Sequence, residues 1–160
     1  MAIKVGDKLP NVTLTLATAE GPKPIQSADF FAGKTVALFA VPGAFTPTCS
    51  AKHLPGFKQL APDLKAKGVD EIACVSVNDA FVMRAWAEDQ AVGEDIAMLA
   101  DGSGAFTKAL GLELDANRFG MGTRSQRYSM IVDDGVVKEL NVEQGGEFRV
   151  SSADFMLEQL

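Results

Sequence analysis

Thr35-Val36-Ala37-Leu38-Phe39-Ala40-Val41 runs directly into Pro42-Gly43-Ala44-Phe45-Thr46-Pro47-Thr48-Cys49. The first seven residues are almost continuously apolar, the pattern of a strand covered on both faces, as in a parallel sheet with helices above and below. Pro42 and Gly43 end that strand. After a turn, apolar residues recur at helical spacing from 49 to 67, at Leu54, Phe57, Leu60 and Leu64. Pro55-Gly56 is expected to bend or interrupt the first half of this helix, and Gly68 to stop it.

Working outward, residues 12–16 alternate apolar with threonine and read as a half-buried strand, followed by a loop at 21–24 that carries Pro22 and Pro24. Residues 71–77 read as a second buried strand. Asn78 or Asp79 caps a helix over 80–89. A short strand follows at 96–100, a short helix at 104–110, and a Gly- and Arg-containing loop at 115–125. A strand at 127–132 leads into Asp134-Gly135, a strong hairpin signal, with the return strand at 136–140. Ser151 or Ser152 caps a last helix that reaches Leu160. The order β–α–β–α–β–α–β–β–α predicts an α/β fold: a thioredoxin-like three-layer α/β/α sandwich whose central sheet is mixed, because the closing hairpin adds antiparallel strands to a parallel core. Composition is even along the chain, without repeats or linkers, so residues 1–160 are expected to form a single domain.

Composition narrows the function. The 160 residues carry a net charge of −6 and a pI near 4.7, which argues against general affinity for nucleic acid or anionic membrane. The densest apolar stretch, 36–45, is interrupted by Pro42 and Gly43 and falls far short of the ~20 residues that span a bilayer. The start of the chain has no apolar segment of signal-peptide length, so a cytoplasmic protein is expected. Cys49 and Cys74 are the only cysteines and His53 the only histidine; that donor set is too small for a Cys/His zinc centre, and no metal is expected.

Cys49 falls where the carboxyl end of a buried strand passes into a helix, the end of an open α/β sheet where ligands bind. A cysteine in the first helical turn meets unpaired backbone N–H groups and the positive end of the helix dipole, and both favour the nucleophilic thiolate. Thr46, three residues earlier, offers a hydroxyl that donates to one atom and accepts from another. Pro42 and Pro47 stiffen the turn. A thiolate so used needs a cation. Three of the five arginines, Arg118, Arg124 and Arg127, cluster around Gly120 and Gly122, and a planar guanidinium can engage two acceptor atoms together. Spacing alone leaves the choice among the three open. The plain alternative for Cys49 itself is an inert buried thiol.

Pro42-Gly43-Ala44-Phe45-Thr46-Pro47-Thr48-Cys49-Ser50, followed by His53-Leu54-Pro55-Gly56-Phe57, resembles the peroxiredoxin signature in its type II, peroxiredoxin-five-like form. The likeness continues through Val75-Ser76-Val77-Asn78-Asp79-Ala80-Phe81-Val82, Leu99-Ala100-Asp101-Gly102-Ser103-Gly104, Leu110-Gly111-Leu112-Glu113-Leu114, Asn141-Val142-Glu143 and Gly145-Gly146-Glu147-Phe148, covering essentially the whole chain. The resemblance implies a thiol-dependent peroxidase acting on hydrogen peroxide and alkyl hydroperoxides. Cys49 would be the peroxidatic cysteine, oxidised to a sulfenic acid. Thr46 would orient the peroxide, Arg124 would polarise it and steady the thiolate, Pro42 would shape the pocket, and backbone N–H groups near Thr48 would complete the site. His53 would line the pocket or serve as a backbone-bonded helix residue. The resemblance further implies a homodimer and no metal, haem or flavin.

Relatives that resolve through a cysteine near the C-terminus differ from this chain, where 147–151 carries no thiol. Cys74 is therefore the candidate resolving residue within the chain. It falls mid-strand, about four residues or roughly 13 Å from Cys49, whereas a disulfide requires Cα atoms within about 7 Å. Cys74 is accordingly read as a core residue, and an external thiol, glutathione with glutaredoxin or thioredoxin, as the reductant. Two other functions compete: a thioredoxin-type disulfide reductase, opposed by the missing C-x-x-C, and a peroxide sensor or holdase using the same thiol.

Overall fold

Side chains of the strand that precedes the reactive turn alternate between two apolar layers. Ala37, Phe39 and Val41 enter one cluster, and Val36, Leu38 and Ala40 enter the other. Both faces of this strand are therefore core, which is why its sequence reads as unbroken apolar. The computed structural model describes residues 2–160, with Met1 outside them.

The main sheet contains β1 (Thr13–Thr18), β2 (Gly21–Gln26), β3 (Thr35–Ala40), β4 (Glu71–Ser76), β5 (Ala97–Ala100), β8 (Tyr128–Asp133) and β9 (Val136–Val142), while β6 (Glu113–Asp115) and β7 (Thr123–Ser125) form a separate two-stranded ribbon. Strand order is β2-β1-β5-β4-β3-β8-β9. β3, β4 and β5 are parallel, and the strands beyond them are antiparallel. Helices α2 (Leu54–Gln59), α3 (Ala61–Ala66), α4 (Ala80–Asp89) and α6 (Ala153–Gln159) cover one face; α1 (Ser27–Phe31) and α5 (Ala105–Leu110) cover the other. This is the mixed three-layer α/β/α sandwich expected.

Two local expectations differ, and a third holds only in part. The loop at 21–24 is strand β2, paired along its length with β1; its two prolines are tolerated because β2 is the sheet edge, where no further neighbour needs their missing N–H. The loop at 115–125 contains a 3₁₀ turn at Asn117–Phe119 and the strand β7. The helix over 49–67 is interrupted in its first half, as Pro55-Gly56 leads one to expect, but it is also broken at Leu60, giving a π turn at Cys49–His53, then α2, then α3. Proline explains both breaks. The ring of Pro55 crowds the carbonyl four residues back, and the wider π turn just before it relieves that contact; Pro62 lies in the first turn of α3, a position where its absent N–H costs nothing.

The broken helix is fastened to β3 by a stacked ring pair, Phe39 on Phe57, with centroids 4.2 Å apart and planes 4° from parallel. Both rings are fully buried. Phe57→Ala is expected to lower the unfolding free energy by about 3–5 kcal/mol, read from the urea midpoint; an unchanged midpoint would show that the stack does not hold the helix to the sheet.

Candidate active site

The turn from β3 into the helix is built by short-range bonds. Thr46 donates its hydroxyl to the Gly43 carbonyl at 2.7 Å, and the Ala44 amide donates to Asn78 Oδ1 at 3.0 Å, tying the turn to the end of β4. Phe45 takes a left-handed conformation at φ 65°. Helical geometry begins at Pro47, and the Thr46 carbonyl accepts the first helical bond, from Ser50 N–H at 2.9 Å. Proline at the first helical position is favourable because its missing N–H would have been unpaired there. Cys49 thus sits in the first turn, as expected. The Leu54 amide donates to the Cys49 carbonyl, the i→i+5 bond that makes the turn π rather than α; such turns recur at functional sites.

Cys49 is fully buried. The Arg127 guanidinium donates from Nη2 to its Sγ at 3.1 Å and from Nη1 to His53 Nδ1 at 2.9 Å. The cation on the sulfur is therefore Arg127, which corrects the choice of Arg124. Arg124 donates from Nε to the Met121 carbonyl at 2.9 Å and lies against Gly43. Strand register accounts for the difference. Tyr128, Met130 and Val132 enter one layer, whereas Ile131 enters the layer that holds Cys49. Arg127 shares the parity of Ile131, and it lies one step beyond the Ala40–Tyr128 pair, beside the end of β3. Arg124 belongs to the separate ribbon.

His53 is fully buried behind the thiol, not at the pocket surface. Its Nε2 lies 2.8 Å from the Ser151 carbonyl. A carbonyl only accepts and a guanidinium only donates, so Nε2 carries the proton and Nδ1 is bare: the ring is neutral, in one tautomer. Burial, reinforced by the Arg127 charge and opposed by the Ser151 bond, depresses its pKa to about 3. The rings of Phe39, Phe57 and Phe148 surround it.

Ser151 is held by Glu143, a residue that composition and spacing did not single out. Its carboxylate accepts from the amides of Arg149, Val150 and Ser151 and from the Ser151 hydroxyl at 2.6–3.0 Å. Burial opposes its charge, but these bonds, led by the Ser151 hydroxyl, outweigh that cost and hold its pKa below the ordinary carboxylate value. The Glu143 amide donates to the Arg127 carbonyl at 2.9 Å. Hydrogen bonds thus close a ring through Arg127, His53, Ser151 and Glu143.

A cavity of about 460 Å³ opens against Pro42, Thr48 and Arg127, with Leu114, Arg118 and Phe119 on its outer wall. Cys74 is fully buried in the same apolar cluster as Cys49, flanked in the sheet by Phe39 and Met98. Burial above all, with the nearby Cys49 charge and against Arg127, pushes its thiol well above the ordinary value. Both cysteines are free. Trp86, buried on α4, donates from Nε1 to Ser50 Oγ at 3.0 Å and so touches the reactive turn. Among the described residues, no cluster of His, Cys, Asp and Glu has the arrangement of a metal site, and no helix is long and apolar enough to cross a membrane.

A buried thiol under a fixed guanidinium, beside an open cavity, is equipped to attack a small electrophile. The Redoxin family model matches residues 4–157. The chain belongs to the peroxiredoxins of this redoxin family. It is a thiol-dependent peroxidase. It is 56% identical to "Peroxiredoxin-2E-2, chloroplastic" of Oryza sativa, over 99% of this chain and 72% of that protein. It is 45% identical to "Hybrid peroxiredoxin hyPrx5" of Haemophilus influenzae, over 100% of this chain and 67% of that protein. Reduced Prx3 of Vibrio vulnificus, solved in complex with H2O2, superposes with a TM-score of 0.94 at 60% identity, covering 98% of each chain.

The buried neutral histidine of this peroxiredoxin has a consequence for acid stability. Its folded pKa, about 3, lies below the unfolded value of 6.5, so as pH falls from 6.5 towards 3 the unfolded chain takes a proton that the folded one refuses. Stability contributed by this group is complete above pH 6.5 and declines below it, by up to about 1.4 kcal/mol per pH unit. Denaturant titrations across this range should give a shallower decline for His53→Asn; parallel curves would show that the ring is protonated when folded.

Proposed function

We propose that Cys49 is the peroxidatic cysteine and that Arg127, not Arg124, is the cation that serves it. The observation carrying this reading is the 3.1 Å bond from Arg127 Nη2 to a buried Sγ. The Cys49 thiolate attacks the terminal oxygen of a hydroperoxide ROOH. The S–O bond forms as O–O breaks, sulfur is oxidised to the sulfenic acid, and RO⁻ takes a proton to leave as water or alcohol. Arg127 stabilises negative charge first on sulfur and then on the departing oxygen. Thr46, whose hydroxyl proton is committed to the Gly43 carbonyl, has lone pairs left to accept from the peroxide O–H. Pro42 and Thr48 form the cavity wall, and the backbone N–H groups of the first helical turn add dipoles. Hydrogen peroxide and alkyl hydroperoxides both fit, the second supported by Leu114 and Phe119 at the mouth.

The sulfenic acid is reduced by an external thiol, glutathione with glutaredoxin or thioredoxin. One thiol displaces water to give a mixed disulfide and a second releases Cys49. Cys74 is a core residue in this reading, since a buried, un-ionised thiol is a poor nucleophile. Two free cysteines suit the reducing cytoplasm, and residues 1–160 act as one domain. After one equivalent of hydrogen peroxide, intact mass should show one added oxygen in the wild type and none in Cys49→Ser. Loss of two hydrogens instead would make Cys74 the resolving residue. Arg127→Gln should slow oxidation about 100-fold or more, with Arg124→Gln far less affected.

The enzyme is a homodimer in this reading. Phe45 is 50% and Phe81 74% exposed, and the Ala44–Asn78 bond brings their two segments together. Phe81→Asp should shift the sedimentation coefficient towards that of a monomer; a wild type that already sediments as a monomer would end the proposal.

A further inference from the structure

We propose that His53 is a positioning residue that aims the Arg127 guanidinium at Cys49, and that the Glu143-anchored loop aims His53 in turn. This rests on the reading of Cys49 as the reacting thiol. A guanidinium on a side chain with four rotatable bonds is not fixed by its strand. Here Nη2 is spent on the sulfur, and the neighbouring Nη1 is held by His53 Nδ1 at 2.9 Å. Two bonds to the two terminal nitrogens fix the plane of the fork, which one bond would leave free to rotate. An imidazole can accept here only when it is uncharged: an imidazolium would offer an N–H to a cation. The Ser151 carbonyl prevents that error by taking the ring's one proton at Nε2, 2.8 Å away.

The support is redundant at every step. The Ser151 amide and hydroxyl are both fixed on Glu143 Oε2, at 2.7 and 2.6 Å, and Glu143 is bonded through its own amide to the Arg127 backbone. The same ring of bonds therefore grips Arg127 by its main chain and by its side chain. Phe39, Phe57 and Phe148 leave the imidazole little room to turn. Burial alone requires both ring nitrogens to be satisfied; what marks this histidine is that one of its two partners is the guanidinium that meets the sulfur.

Asparagine and glutamine separate the two roles. Asn places its amide oxygen where Nδ1 sits and can accept from Arg127. Gln reaches the Nε2 position and can donate to Ser151, without an acceptor at Nδ1. We expect His53→Gln to slow the oxidation of Cys49 by hydrogen peroxide about tenfold or more, and His53→Asn to recover at least several-fold over it. A Gln variant as fast as wild type, or two variants equally slow at equal melting temperature, overturns the proposal. If either variant does not fold, nitrogen NMR of the wild-type histidine decides. A neutral ring protonated at Nε2 between about pH 5 and 8 supports the proposal, and an Nδ1–H ring or an imidazolium overturns it. A wild type whose Cys49 takes up no oxygen would instead overturn the reading of Cys49, a result distinct from any of these.

Discussion

The fork of Arg127, with one nitrogen on the Cys49 sulfur and the other on His53, is the contact around which this end of the molecule is organised. Taking a cation even partly out of water, as Arg127 is, is costly unless it is paired and its N–H groups are satisfied. The sulfur supplies one partner and a neutral imidazole the other. Neither partner would serve if it could drift, and so a carboxylate, a serine and an eight-residue return of chain are given over to holding the imidazole. Glu143 is the base of that construction: it stays charged because four donors converge on it. The guanidinium thus sits at its sulfur with its competing orientations already removed.

The sheet brings these groups together from distant parts of the sequence. β3 delivers Cys49 by running off its carboxyl end into a helix, and β8 lies antiparallel beside β3, so the start of one strand meets the end of the other. Arg127 precedes β8 on the face of the cysteine layer, while Tyr128 faces the opposite layer. The π turn completes the placement. Cys49 and His53, four residues apart, share one face of this turn and are both buried. The parallel core alone would have left the sulfur at a strand end without a cation; the antiparallel hairpin that extends the sheet supplies it.

What could be read from the sequence follows from range. The alternation of β3 and the strand-to-helix step at Cys49 are local patterns, and each appears where residues 35–49 place it. The edge strand β2 was hidden because Pro22 and Pro24 are turn residues by composition, and only a sheet position without an outer neighbour makes them acceptable. Arg124 and Arg127 are three residues apart in one basic stretch, and nothing local distinguishes them. The parity of β8 could have done so, since Arg127 shares the register of Ile131, but parity is informative only once the layer containing Cys49 is known. His53 was legible as a neighbour of Cys49 and illegible as a buried acceptor, because Ser151, its partner, lies 98 residues away. Glu143 falls within the Asn141-Val142-Glu143 stretch of the likeness, but nothing there assigns it a role: a glutamate that clasps its own loop looks like any surface glutamate.

The choice of groups also determines what the site does not do. A guanidinium cannot be deprotonated in a protein, and the imidazole beside it is held far from its own titration range. The charge presented to the sulfur is therefore constant across physiological pH. A lysine would give a point charge that burial can discharge, and one that cannot bridge a sulfur and an imidazole in a single plane. A charged histidine in direct contact with the sulfur would provide a cation that comes and goes near neutrality. Placing the arginine in contact and the histidine behind it reverses those liabilities: the group that could titrate is buried among phenylalanines with its proton bound to a carbonyl, and the group that cannot titrate meets the chemistry.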